Sequence, residues 1–227
     1  MIRNIKMCSY LFFAALVILT SSGCHDHGTD DQRIYGSGNL ISQNRPVRDF
    51  SAVSVEGSAD VQLIPSESTA LSIEADDNII DKVITEVENG KLHISLEKGS
   101  YTNITVKAYV SMKKLEGIEC KGSASFVTSK PFTMDYIKCL VNGTASIKLS
   151  GTANKEVIEI NGTGNISNYA LEAREAVVNI SGTGAVQVTA IDKLDATISG
   201  TGSIIYAGDP PVVNQKIFGV GSITRKR

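Results

Sequence analysis

Tryptophan is absent from this 227-residue chain, aromatic residues make up 6% of it, and it holds three histidines and five prolines. No run of Lys and Arg is interleaved with aromatics, so the footprint of a nucleic-acid-binding surface is missing and no nucleic-acid partner is expected. Convincing amphipathic helices are lacking as well. The motifs G-x-S-x-G, H-E-x-x-H and the P-loop do not occur, which removes the usual hydrolase, metalloprotease and nucleotide-binding readings. No apolar run reaches the ~20 residues of a permanent membrane helix.

What is present begins with an export signal. Arg3 and Lys6 form a short basic region ahead of the apolar run Leu11 to Leu19, and Ser21-Ser22-Gly23 leads into Cys24. The pattern resembles a bacterial lipobox, in which cleavage precedes a cysteine that has received a diacylglycerol. It departs from that pattern at Ser21, where Leu is usual. The expected processing is therefore a signal peptide over residues 1–23 and lipid attachment at Cys24. Acyl chains contribute about 0.8 kcal/mol per buried methylene, enough together to hold the chain at a membrane. Without Arg3 and Lys6 the remainder carries 20 Lys+Arg against 24 Asp+Glu, a net charge of −4. Residues 24–34 are polar, lack hydrophobic periodicity, and read as a flexible tether. Their acidity loosely resembles export signals of some Bacteroidetes lipoproteins. The expected location is the outer membrane, on its cell-surface or its periplasmic face.

Beyond the tether, strand signals dominate. Val53, Val55, Val61 and Leu63, then Leu92, Ile94 and Leu96, then Ile104, Val106 and Ala108 alternate with polar residues, the period of half-buried strands. The second half carries an internal repeat: IECKGSASF (118–126), CLVNGTASI (139–147), IEINGTGNI (158–166), VNISGTGAV (178–186) and ATISGTGSI (196–204). QKIFGVGSI (215–223) is a degenerate last copy and VSVEGSADV (53–61) an early one. At the shared glycine (Gly122, Gly143, Gly162, Gly182, Gly200, Gly219) the steps are 21, 19, 20, 18 and 19 residues.

A period near 19 built from strands and tight turns predicts an all-β fold, a right-handed parallel β-solenoid with irregular N-terminal coils. Each repeat is too small to bury its own face, and stacking makes a continuous core. Residues 35–115 are expected to form the N-terminal β part and 116–227 the repeat solenoid. Two stacked β-sandwich-like units are the alternative, disfavoured by the regular spacing. Two before the glycine stand Cys120, Val141, Ile160, Ile180, Ile198 and Ile217, and four after it Phe126, Ile147, Ile166, Val186, Ile204 and Ile223, both inward columns. Two after it the residue is always Ala or Gly, which either a positive φ or a close backbone approach would demand. Cys120 and Cys139 fall two residues apart on adjacent coils. At ~4.8 Å per strand and ~3.3 Å per residue their Cα atoms would be ~8 Å apart. A bridge needs less than ~7 Å, so two buried free thiols are expected.

The unit h-x-h-x-G-[ST]-[GA]-x-h, preceded by FSAVSVEGSADVQL and ENGKLHISL, resembles the bacterial family described as "putative auto-transporter adhesin, head GIN domain", over about residues 48–206. The resemblance implies a secreted or lipid-anchored β-helical protein of a type common in Bacteroidetes, and it brings no catalytic residues.

Candidate chemistry is sparse. His25 and His27 lie on the tether without a third fixed ligand, so no metal site is expected, nor any cofactor. Glu74, Asp76, Asp77 and Asp81 form an acidic cluster without the Gly and closing Glu of a calcium loop, and read as a solvated loop. Glu119 and Glu159 share a column but are separated by Leu140, so they do not make the facing carboxylates of a glycosidase. The remaining candidate is a ladder of Thr144, Thr163, Thr183 and Thr201 with neighbouring Asn142 and Asn161. It could meet a glycan or another repetitive polar surface, or it could serve only strand propensity and corner hydrogen bonds. The function expected first is a non-catalytic, adhesin-like envelope lipoprotein that binds a glycan or protein ligand. The alternatives are a structural or regulatory envelope protein with a same-cell partner and, last, a β-helical polysaccharide-active enzyme. Open solenoid ends invite strand pairing, so a homo-oligomer fits the pattern.

Overall fold

The computed structural model describes residues 33–226. The signal segment, Cys24, His25 and His27 lie outside the described residues. The first half contains β1 (Ile34–Tyr35), β2 (Leu40–Arg45), β3 (Ala52–Glu56), β4 (Ser58–Pro65), β5 (Ala70–Asp76), β6 (Val83–Glu88), β7 (Lys91–Leu96), β8 (Tyr101–Thr102) and β9 (Val106–Met112). The second half contains β10 (Gly117–Cys120), β11 (Ser123–Thr128), β12 (Phe132–Val141), β13 (Thr144–Lys148), β14 (Ser150–Ile160), β15 (Thr163–Ile180), β16 (Thr183–Ile198), β17 (Thr201–Ala207), β18 (Val212–Ile217) and β19 (Val220–Arg225). The single helical element among the described residues is a 3₁₀ turn, Ile80–Lys82.

The molecule is a parallel β-solenoid, as the repeat predicts, with five full coils between Gly122 and Gly219. Each coil has three arms. One leads into the glycine corner, one leaves it, and a third returns to the next coil. Seven pairings stack the incoming arm in the order β7, β3, β10, β12, β14, β15, β16, β18. The outgoing arm stacks β9, β4, β11, β13, β15, β16, β17, β19.

Chain order and spatial order differ at the start. The coil of β3 and β4 is sandwiched between that of β7 and β9, which follows it in sequence, and that of β10 and β11. The early repeat copy nonetheless stacks in register on the first member of the main series, Val53 on Ile118, Val55 on Cys120 and Val61 on Phe126. Beyond β7 and β9 the direction changes. β6 pairs antiparallel with β7, β5 antiparallel with β9, and β2 antiparallel with β5.

The columns follow the sequence reading. Val141, Ile160, Ile180 and Ile198 are essentially fully buried, as are Ile147, Ile166, Val186 and Ile204. Burial at roughly 25 cal/mol per Å² makes these columns the main stabilising term. The shared glycine is required by a close backbone approach. A Cβ at Gly162 would overlap the carbonyl oxygen of Gly143, and the same overlap recurs at every corner of the column. The small residues two positions on are explained by close approach too. A Cβ at Gly164 would lie 2.7 Å from Cδ1 of Ile160, and one at Gly184 2.9 Å from the same atom. The unequal coil lengths are absorbed at the corner after the outgoing arm, where β15 and β16 shift register between Asn168 and Glu172 and again between Ala173 and Glu175.

Cys120 and Cys139 are buried free thiols on adjacent coils. Cys139 pairs with Ile118 and Cys120 with Val141, the expected two-residue offset. The Cys120 thiol donates to the carbonyls of Gly122 (3.4 Å) and Thr144 (3.2 Å).

The acidic cluster departs from expectation. Asp76 is buried, not solvated. Its carboxylate accepts the backbone N–H of Gly38 (2.7 Å) and of Thr105 (2.7 Å), which ties the N-terminal segment to the strand start at β9. Asp77 accepts from the Ser37 hydroxyl (2.6 Å) and the Asn39 amide (3.2 Å), and those bonds hold its carboxyl below the ordinary range. Glu74 pairs with Lys107 at 2.8 Å. The physical reason is that backbone N–H groups of the non-repetitive end need acceptors, and local sequence does not announce which distant segment brings them.

Candidate functional site

The predicted ladder exists. Thr144, Thr163, Thr183 and Thr201 pair directly on successive coils, with Val220 ending the column. All four threonines are exposed. Corner hydrogen bonding does not use them. The backbone N–H of Thr163 donates to Gly143 O (2.8 Å), that of Gly162 to Val141 O (3.0 Å), and the same pattern repeats at each corner. Among the described residues, no side-chain hydrogen bond occupies the four hydroxyls. Asn142 and Asn161 behave differently. The Asn161 amide donates to Asn142 Oδ1 at 2.9 Å, so part of their capacity is spent within the ladder.

The lower part of the ladder lies in a groove of about 530 Å³ that crosses five coils. Its lining carries the hydroxyls of Ser58, Thr105, Ser123, Ser125, Thr144, Ser146 and Thr163 over Ala59, Ala124, Ala145 and Gly164, with Ile104 and Val106 at one end and Asn165 at the other. The concavity exists because two residues after each corner the side chain is a methyl group or a hydrogen. A second groove of about 560 Å³ adjoins it through Ser58 and Ile104 and is lined by Glu56, the Leu96–Gly99 loop, Tyr101 and Asn103. Thr183 and Thr201 continue the column beyond the groove. Sequence columns alone missed Thr105, Asp60 and Ile104, because the coil that supplies two of them enters from outside the periodic series.

Asp60 is the one carboxylate in the first groove. Glycoside hydrolysis takes two, at about 5–10 Å. Glu119 and Glu159 lie elsewhere, on the incoming arm, with Leu140 paired between them. There Lys91 bonds Glu119 at 2.7 Å, Lys138 bonds Glu159 at 2.9 Å, and Lys121 bonds Glu56, whose carboxyl is held low by that bond. His93 sits half-buried on the same face, its Nδ1 3.9 Å from Glu56. Among the described residues, no group of His, Cys, Asp and Glu is arranged to hold a metal.

Among the described residues, one carboxyl lies inside the coil stack of the second half. Glu156 is fully buried and burial pushes its carboxyl up to about 7, although the Asn168 amide donates to Oε1 at 2.6 Å. Its Oε2 has no partner. Asn168 in turn accepts the Leu149 N–H at 2.8 Å. Cys139, near Glu156, has its thiol raised well above the ordinary value, first by burial and then by that carboxyl. The signal was available in the sequence. Six residues before the corner glycines stand Glu116, Ile137, Glu156, Ala176, Leu194 and Val213, so Glu156 interrupts an apolar run from Ile137 to Val213.

The described residues thus form a stacked-coil solenoid with an open, hydroxyl-lined groove that holds a single carboxylate, Asp60. The chain belongs to the family described as "putative auto-transporter adhesin, head GIN domain", whose profile matches residues 49–210. That description names an adhesin and implies a cell-envelope or surface location. Among solved structures, a putative adhesin from Bacteroides fragilis is similar at a TM-score of 0.70 and 24% identity, over 85% of this chain and 100% of that one. A putative lipid binding protein from Parabacteroides distasonis is similar at a TM-score of 0.54 and 28% identity, over 86% of this chain and 100% of that one. A putative adhesin from the same species has a TM-score of 0.56 and 24% identity, over 86% and 100%. No protein of curated function matches the chain.

Proposed function

We propose that this protein is an adhesin-like lipoprotein, anchored in the outer membrane through Cys24, whose head binds a carbohydrate chain along the hydroxyl-lined groove. The observation that carries the reading is the free hydroxyl array itself. Ser123, Thr144 and Thr163 stand on consecutive coils over an alanine and glycine floor, and their backbone corners are already satisfied. Strand spacing sets the array at a repeat of ~4.8 Å. A sugar chain presents hydroxyls at a comparable interval and apolar C–H faces between them, which suits hydroxyls alternating with methyl groups. The open shape and the regular row of hydroxyls favour such a chain over an acyl chain.

The test is glycan-array binding by the purified protein, followed by Thr144→Lys, which fills the groove at an exposed position. Selective binding to a glycan class, lost at least tenfold in Thr144→Lys with the melting temperature unchanged, supports the reading. No glycan binding, or binding indifferent to Thr144→Lys and Ser146→Lys, contradicts it. Protease shaving of intact cells checks the orientation: release of the head is expected. A head protected until the outer membrane is broken would contradict surface adhesion.

A further inference from the structure

The geometry points to end-to-end pairing of two copies of this chain through the last coil, β18 and β19. Both strands have a free edge among the described residues, since β18 pairs only with β16 and β19 only with β17. Their apolar residues are uncovered. Ile217, in the column where Ile198 and Ile180 are buried, is 46% exposed, and Phe218 and Val220, in the outward columns of Ser199 and Thr201, set two large apolar side chains at the rim of the same tip. With Val213 they form an apolar patch on the order of 400 Å², the size of the largest patch on a soluble monomer, which is often a contact site.

The occupant is a second copy for three reasons. Every coil interface in the solenoid already stacks isoleucine and valine on their like, so the surface that best continues the column is another such column. The two strands are each six residues long and flank the Phe218–Gly219 corner. A two-fold axis through that corner lays β18 antiparallel on the partner's β19 and β19 on the partner's β18, so all four edges pair at once. The far end of the solenoid, where β6 pairs antiparallel with β7 and β2 with β5, has a different strand sense and carries exposed Glu86 and Glu88 on β6, which disfavours head-to-tail growth into fibres.

One exposed cation, Lys216, lies on β18 itself. Arg225 is paired with Asp209 at 3.0 Å and Lys226 lies over the Tyr169 ring at 4.2 Å, both drawn back along the body and away from the tip. Ile34 pairs with Tyr101 at the closed end, seven strand spacings or ~34 Å from β18.

The pairing has a functional consequence that rests on the Cys24 anchor proposed above. The chain leaves the membrane at the closed end, so the open tip is distal. Two copies joined tip to tip then have their anchors at opposite ends, which links opposing membranes.

The experiment is sedimentation of the full chain in detergent, with Val220→Glu and Phe218→Cys, and reconstitution of the lipidated protein into vesicles. The expected results are a concentration-dependent dimer, a monomer for Val220→Glu at unchanged melting temperature, and an oxidised Phe218→Cys dimer cross-linked at the two-fold axis. Vesicles carrying the protein should cluster, and those carrying Val220→Glu should stay dispersed. A monomer throughout, open-ended oligomers, a dimer indifferent to Val220→Glu, or incorporation without clustering overturns the proposal. Failure to incorporate into vesicles counts against the Cys24 anchor alone, and sedimentation then decides the pairing.

Discussion

At the N-terminal end of the solenoid the last parallel strands, β7 and β9, are followed by antiparallel β6 and β5. At the C-terminal end, β18 and β19 are followed by no further strand among the described residues. The same kind of coil therefore meets two fates. Leu92 and Ala108 in the first are fully buried, whereas Ile217 in the last is nearly half exposed. A periodic sequence cannot stop itself, because each coil makes a template for the next. Closing the stack needs a break in the period, and among the described residues the antiparallel break stands at the N-terminal end. There the edge of β6 carries exposed Glu86 and Glu88, and β2 ends at Arg45-Pro46, both deterrents to further pairing.

The comparison is broken most directly by one substitution made twice. Ile160→Asp places a charge in a fully buried column and should abolish cooperative folding, because an unpaired buried carboxylate costs several kcal/mol. Ile217→Asp, in the same column at the open end, should cost about 1 kcal/mol or less by chemical denaturation. Equal losses would mean that the last coil is as enclosed as the middle. Asp76→Ala tests the closed end. It strands two backbone N–H groups, those of Gly38 and Thr105, and should lower stability by about 2–4 kcal/mol. A loss under half a kcal/mol would show that the cap does not depend on that clamp.

A smaller effect separates the interior from both ends. The folded protein holds the Glu156 proton up to about pH 7, against a value of 4.5 for a free carboxyl. Its contribution is full below pH 4.5 and is lost as pH rises through 7, because the unfolded chain ionises first. Over that window the parent should lose up to about 3 kcal/mol that Glu156→Gln does not lose. Parallel pH profiles for the two would contradict the burial argument. Smallest of all, Thr183→Ala should change stability by less than about 0.5 kcal/mol, since its hydroxyl is exposed and serves no corner.

Much of this architecture was legible in the repeat. The columns at Ile160 and Ile166, the offset of Cys120 from Cys139, and the early copy at Val53–Val61 all lie where spacing puts them, because a solenoid turns sequence period directly into register. Three things escaped. The position of β7 and β9 beneath β3 and β4 is a matter of topology, and an excursion of β5 and β6 leaves no periodic trace. The Asp76 clamp is made with Gly38 and Thr105, far away in sequence, so its carboxylate looked solvated. Glu156 hid because the column six before the glycine was not read. At the groove, the Ser and Thr ladder was visible, but the end lined by Ile104 and Thr105 comes from a coil outside the periodic series.

Amide hydrogen exchange of the dilute protein, followed strand by strand, tests the central claim that one end is closed and the other open. The account predicts slow exchange through β7, β9 and the middle coils, fast exchange in β18 and β19, and protection of those two strands as concentration rises. Strands β18 and β19 as protected as β15 in the dilute monomer, or β7 and β9 as labile as β18, would contradict it.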